Sequence, residues 1–578
     1  MRRLALGSLI LIALALPACT RPSNEAQTPD ASPAVAAPSM HLLVAARIAG
    51  SEAPGANAMV WDDTGRIIAI GGADDLAARF PAATRHDAGD GVVMPGLIDA
   101  HGHLMNLGFA LLRADLVGAT SKAEIIERLQ AYAATVPADA WIIGRGWDQN
   151  DWPEKDFPTA ADLDAAFPDR PVWLERVDGH AGWGNSAAMR AAEAKHGKTF
   201  DGDWQVDGGR ILREGDKATG VFIDAAATFI DGAVPAPSEA LREEAFERAL
   251  AAAAASGLTG VHDMGVSRAD LALYTRFADA DRLTLRVEAY ADGDRDALAD
   301  RCAQGPYVHD GGRLAMRGVK VYMDGALGSR GAALIADYSD EPGHRGLLLM
   351  RQEALDALLA KVKGCGLQAA THAIGDLANR LVLDGYAKVL GPEAATLDHR
   401  WRIEHAQVVS PKDLPRFAEL GVIASMQPTH ATSDMPWAEA RLGAERIRGA
   451  YAWKTLKDGG ARLALGSDFP VESVDPRLGL YSAVTRQDLE GLPLGGWQPQ
   501  ERLTMLDALA GFTADAAFAN RREGEIGRLA EGYRADFVVL DADPAAIDAA
   551  AVPKLVVRST WVDGAPVYQR PTDSAATP

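Results

Sequence analysis

Between residues 92 and 466, short runs of β-branched and apolar residues alternate with longer segments of helical period, the pattern of strand–helix units around a parallel sheet. The runs lie at 92–99, 259–262, 285–290, 319–323, 368–371, 402–404, 422–426 and 462–466. Eight such units predict an α/β fold, a (β/α)8 TIM barrel over 92–499, with its functional residues at the carboxyl ends of the strands. The spacing between the first two runs exceeds any normal crossover, so 104–255 reads as an inserted subdomain. It carries Trp141, Trp147, Trp152, Trp173, Trp183 and Trp204, half of the 12 tryptophans. Two uses are open for these rings: a wall over the catalytic face, or a core belonging to the insert itself.

The flanks of the barrel follow a different rhythm. Leu42-Leu43-Val44, Ala58-Met59-Val60-Trp61 and the turn Asp63-Thr64-Gly65 predict short strands in 41–91. Phe537-Val538-Val539-Leu540 and Leu555-Val556-Val557 do the same in 500–570, and the two ends are expected to form one small β-sandwich.

Met1-Arg2-Arg3 precedes an apolar run ending at Leu16, too short to span a bilayer comfortably and typical of a secretory leader. Leu16-Pro17-Ala18-Cys19 resembles a bacterial lipobox, so 1–19 is expected to be a lipoprotein signal peptide and Cys19 the lipidation site. Residues 20–40, rich in Pro, Ala, Ser and Thr, read as a flexible linker. The expected location is the periplasmic face of the cell envelope. Thr20 after the cysteine points to the outer membrane, with the lipid anchor as the sole membrane attachment. Cys302 and Cys365 are expected to be two buried thiols rather than a bridge.

Composition, with 48% hydrophobic and 24% charged residues, is that of a globular enzyme. The formal charge of −21 argues against a nucleic-acid partner, since phosphate binding needs clustered Lys and Arg. No Gly-x-Gly-x-x-Gly precedes a helix, so no nucleotide cofactor is implied. A small-molecule substrate is the expected partner, with a homo-oligomer left open.

The first barrel run ends Pro95-Gly96-Leu97-Ile98-Asp99-Ala100-His101-Gly102-His103. Residues two apart on a strand share a face, so His101 and His103 can reach one cation; alone, the pair reads equally well as ordinary histidines at a strand end. Further polar residues recur at predicted strand ends: Lys320, His372, His405 and Asp468. Lys320 alternates with apolar neighbours and should point into the barrel, where a lysine is costly unless paired or chemically altered. His262, which ends the second run, reads as a satisfied core histidine.

Together with Val319–Arg330, Thr371-His372-Ala373-Ile374-Gly375-Asp376, Ile403-Glu404-His405-Ala406-Gln407, Gly466-Ser467-Asp468-Phe469-Pro470-Val471-Glu472 and the closing Gly527–Asp536 segment, these motifs resemble the amidohydrolase superfamily. Within it they are most similar to amidohydrolase family 3, the branch that includes N-substituted formamide deformylase. The resemblance implies two divalent metal ions, most readily zinc with manganese or iron as substitutes. It places His101, His103 and Asp468 on one metal, His372 and His405 on the other, and Lys320 between them as a carbamate. Asp468 would be the catalytic general acid/base beside metal-activated hydroxide. The implied reaction is hydrolysis of a C–N bond other than a peptide bond (EC 3.5) in an amide, formamide or N-acyl compound. Alternatives are hydrolysis of esters, lactones or cyclic amides on the same site, or a non-catalytic binding lipoprotein. His180, His430 and Arg330 are candidate substrate contacts, each with a structural reading open beside it.

Overall fold

The computed structural model describes residues 39–571 except 52, 178, 180, 207, 208, 294 and 295. The expected leader, Cys19, the linker up to residue 38 and His180 lie outside the described residues.

Eight parallel strands form the central sheet: β1 (Leu97–Gly102), β2 (Leu258–Val266), β3 (Arg286–Asp292), β4 (Leu314–Tyr322), β5 (Gln368–Ala373), β6 (Arg402–His405), β7 (Ile423–Met426) and β8 (Leu463–Leu465). They are hydrogen-bonded in sequence order from β1 to β8. Beyond the end of β8 the sheet closes on β1: Asp468 N–H donates to the His101 carbonyl at 2.7 Å and His103 N–H to that of Phe469 at 2.9 Å. The result is the (β/α)8 barrel. Its strands are near-continuous buried runs, as a parallel sheet covered on both faces requires.

Asp99 fastens this seam. Its buried carboxylate accepts from the His101 N–H at 3.0 Å, the Ser467 N–H at 3.1 Å and the Ser467 hydroxyl at 2.6 Å. Gly466 permits the approach, because a Cβ there would lie 2.5 Å from Asp99 Oδ1 and from the His101 nitrogen.

The predicted first run, 92–99, is two strands in two sheets. Val92–Pro95 joins a five-stranded sheet with Arg47–Ile48, Phe537–Leu540, Val557–Val562 and Ala565–Gln569, and only after Gly96 does the chain enter the barrel. Pro95 has no N–H to continue a ladder, and a Cβ at Gly96 would strike the Thr259 side chain at 2.3 Å. The second sheet of the sandwich is Ile67–Gly71, Ala58–Asp62, Met40–Val44 and Thr84–Asp87. Between the sheets pack Leu43, Met59, Trp61, Val93, Phe537 and Trp561. Helices Met505–Gly511 and Ala514–Ala519 pack against β8, so the first part of the 500–570 stretch serves the barrel rather than the sandwich.

The insert builds a sheet of its own from Ala114–Asp115, Ile142–Trp147, Val172–Arg176, Ala181–Gly184, Lys217–Asp224 and Gly209–Glu214. Trp147, Trp152 and Trp183 cluster with ring centroids 5.9–6.2 Å apart, and Trp173 packs against Phe222 at 6.0 Å. These four rings form the insert's interior, which decides the open question for them in favour of its own core.

Cys302, on helix Asp296–Gln304, and Cys365, which caps helix Gln352–Gly364, form a disulfide. This corrects the expectation of two free thiols. The pair lies 63 residues apart in sequence, on helices outside neighbouring strands, so only the barrel's winding brings them together.

Arg286, at the start of β3, ties the foot of the barrel to the sandwich: it donates to Asp536 at 2.9 Å and also pairs with Asp563, and Arg286 and Asp536 are both buried. Removing one partner of such a pair strands a charge in the interior. We expect Asp536→Ala to lower unfolding free energy by about 3–5 kcal/mol in a guanidinium titration. For the Cys302→Ala/Cys365→Ala double variant we expect a loss of roughly 2–4 kcal/mol, reproduced in the parent protein by a reductant.

Candidate metal centre

At the carboxyl end of the barrel, β1 delivers His101 and the residue just beyond it, His103, while β4 delivers Lys320, β5 His372 and β6 His405. Asp468 follows β8, and His430 lies on the short helix Pro428–Asp434 after β7. Asp468 is the point of convergence. Its Oδ1 is 3.0 Å from His103 Nε2 and 3.5 Å from His101 Nε2, and its Oδ2 is 3.8 Å from His430 Nε2. The His101 ring centroid is 4.7 Å from that of His405, which is 4.5 Å from that of His372. Asp468 (φ 63°) and His405 (φ 72°) are held in left-handed backbone conformation, costly for residues with a Cβ and a usual place for stored strain at functional sites.

The proton inventory of these rings is informative. A neutral imidazole has one N–H and one lone pair, and whatever accepts from the N–H fixes where the lone pair points. His101 Nδ1 donates to Glu404 Oε2 at 2.6 Å, His103 Nδ1 to the Met264 carbonyl at 2.9 Å, and His405 Nδ1 to Gln427 Oε1 at 2.9 Å. In each case Nε2 is left as the acceptor. Burial, with Lys320 nearby, lowers the His101 pKa to about 4 and that of His372 to about 3, and burial holds His405 well below the usual imidazole value. Burial alone would raise the Asp468 pKa, but the imidazoles of His101, His103 and His405, in their protonated form, more than offset it and hold the group well below the usual carboxylate range. His103 Nε2 therefore faces Asp468 Oδ1 at 3.0 Å, a contact that needs a proton or a cation between the two atoms, while His101 Nε2, 3.5 Å from the same oxygen, accepts from Lys320 at 3.1 Å. Buried Nε2 atoms of His372 and His430 also have no hydrogen-bond partner.

A divalent metal fits this donor set of imidazole nitrogens and carboxylate oxygens. Ligand atoms of His101, His103 and Asp468 lie within 4.8 Å of one another, as do those of His405, His430 and Asp468. The two groups share Asp468. His430, expected as a substrate contact, thus sits where a metal could reach it, whereas His372 packs against His405 with Nε2 turned 3.5 Å from Asp324 Oδ1. Lys320, buried at the centre, donates from Nζ to His101 Nε2 at 3.1 Å; burial lowers its pKa to about 8. Arg330 pairs with Asp340 at 3.0 Å through Nη2 and with Glu341 at 3.2 Å through Nε, as a loop clamp.

Sequence reasoning passed over the layer behind the ligands. Arg402 and Glu404 are fully buried and ion-paired, and Arg402 also donates to the Ala100 carbonyl at 2.6 Å and to His262 Nδ1 at 2.8 Å. Arg402 and His101 hold the Glu404 carboxyl well below its ordinary range despite burial. A signal was present, because opposite charges two apart in a four-residue strand share a face and must meet inside the barrel. Gln427 and Met264 carried none: one acts through an amide oxygen, the other through its backbone.

The amidohydrolase family model matches residues 86–568. YtcJ of Bacillus subtilis is 34% identical over 88% of this chain and 96% of its own length. N-substituted formamide deformylase of Arthrobacter pascens is 28% identical over 88% of this chain and 94% of its own. Among solved structures, an uncharacterized metal-dependent hydrolase from Pyrococcus horikoshii superposes with a TM-score of 0.73 at 28% identity, covering 88% of this chain and 99% of that one. With matches of this extent, the chain belongs to the amidohydrolase family, among the metal-dependent hydrolases.

Proposed function

We propose that the protein hydrolyses a C–N bond in an amide, formamide or N-acyl compound, with two zinc ions and a carbamate on Lys320 completing the centre. The single observation that carries this reading is Asp468, an ionised carboxylate at the shared edge of two imidazole groups. Zinc bound there would supply Lewis acidity, polarising a carbonyl and lowering the pKa of water.

The chain's own residues do the remaining work. Asp468 accepts a proton from the attacking water and returns it to the leaving nitrogen, a role that needs a carboxylate ionised at neutral pH. Glu404, Met264 and Gln427 orient the imidazoles so that their lone pairs stay turned inward. Lys320 has no carboxylate partner within salt-bridge distance among the described residues, and its lowered pKa raises the fraction of neutral amine able to take up carbon dioxide. A carbamate would replace a costly buried ammonium with an anionic oxygen ligand. The likeness to N-substituted formamide deformylase favours a nitrogen leaving group over an ester oxygen.

We also propose that the enzyme is exported and lipid-anchored at Cys19, facing the periplasm. The leader-like N-terminus supports this, as does the Cys302–Cys365 bridge, which persists in oxidising compartments.

The substrate class is tested by assaying zinc-loaded protein against formamides, N-acyl amino acids, cyclic amides and lactones; turnover confined to lactones would refute the C–N assignment. Asp468→Asn should lower kcat by about 10² to 10⁴ while elemental analysis still finds bound metal. Lys320→Ala should lose one metal equivalent and most activity, and native mass spectrometry of the parent should show the added mass of carbon dioxide. A variant at either position with the parental rate would contradict the role assigned to it.

A further inference from the structure

At the opposite, amino-terminal end of the barrel lies a cavity of about 360 Å³, within the range of small-molecule sites. Its accessible apolar lining comes from Ala395, Leu397, Ala418 and the ring of Phe518, with Phe417 and Val422 buried behind, and its polar side from Arg400, Arg462 and the carboxylate of Asp398. Arg400 and Arg462 place their guanidinium carbons 3.4 and 3.8 Å from the Phe518 centroid. Two cations that close to one centroid cannot share a face, so the ring is held between them.

The two arginines differ in what they still offer. Arg400 is committed to Asp398, to Glu523 at 2.6 Å and to the Phe518 carbonyl. Arg462 uses Nη1 alone, on Asp515 at 2.9 Å; its Nε and Nη2 make no hydrogen bond among the described residues, and its side chain is half exposed. A guanidinium pinned on an aromatic ring with donors open to a cleft is suited to a carboxylate. Beside it Leu397, 41% exposed, gives the cleft an apolar edge.

We propose that this cavity binds a small organic carboxylate, its apolar body against Leu397 and Ala418 and its charge on Arg462, the Asp398 carboxylate in the same lining being neutralised by Arg400 and Arg521. The site is separate from the metal centre. Arg462 immediately precedes β8 and Val422 precedes β7, and the far ends of these strands lead to Asp468 and to Gln427 and His430. At about 3.3 Å per residue, strands this short put roughly 10 Å or more between the two. General attraction of anions does not account for binding here, because the chain's formal charge is −21.

The test is titration of the full-length, zinc-loaded protein with benzoate and hexanoate by calorimetry, with benzamide as the neutral control. Benzoate should saturate one site with a Kd of about a millimolar, and benzamide should bind at least tenfold more weakly. Arg462→Gln should weaken benzoate about tenfold, and Ala418→Phe, which fills the cavity, should abolish binding. Asp468→Asn should leave it unchanged. The proposal is overturned if benzoate does not saturate, if benzamide binds equally well, or if binding survives Arg462→Gln unaltered. Loss of binding in Asp468→Asn would also overturn it, by placing the ligand at the metal centre.

Discussion

The centre of this barrel is governed by a shortage of protons. Three imidazoles give their Nδ1–H outward, to a carboxylate, a backbone carbonyl and an amide oxygen, and so turn Nε2 inward, that of His103 to Asp468 and that of His101 to Lys320. An imidazole lone pair facing a carboxylate in a buried site needs a positive charge between them, which a divalent cation would supply. Most of the polar interior exists to maintain that orientation. Glu404 holds the His101 ring, Arg402 holds Glu404, and Arg402 is itself held by the Ala100 carbonyl, Ser425 and His262. A fully buried ion pair contributes little net stability on its own. Its value here is geometric, since it makes one tautomer of His101 the only comfortable one.

The same residues link chemistry to architecture. Asp99 is not a ligand, yet it bonds the backbone on both sides of the barrel seam, next to His101 and next to Asp468. The distance between those two ligands is thus set by the closure of the sheet rather than by loop conformation. Sites built on strand ends and fixed by a second layer of hydrogen bonds are more exact than sites carried on loops alone.

Much of this was legible in the chain. Strand alternation placed His101 and His103 on one face, and apolar runs located all eight barrel strands to within a few residues. What escaped had physical reasons. The run 92–99 is uniformly apolar, and apolarity does not reveal that Pro95-Gly96 hands the chain from one sheet to another. Cys302 and Cys365 meet only because neighbouring helices pack side by side, a relation with no trace in local pattern. His430 and His372 both follow strands, and the side-chain directions that bring one toward Asp468 and turn the other toward Asp324 are tertiary facts. The clamp on Arg330 was hidden because its partners, Asp340 and Glu341, lie in a loop ten and eleven residues on.

His103 and Asp468 stand 365 residues apart and meet across the seam between the first strand and the last. Contacts of such separation carry a large loop-closure cost and tend to form late. No partial chain ending before Asp468 can assemble the centre, so metal capture is tied to completion of the barrel. A divalent ion held by His103 and Asp468 would act as a rivet joining the two ends of the sheet.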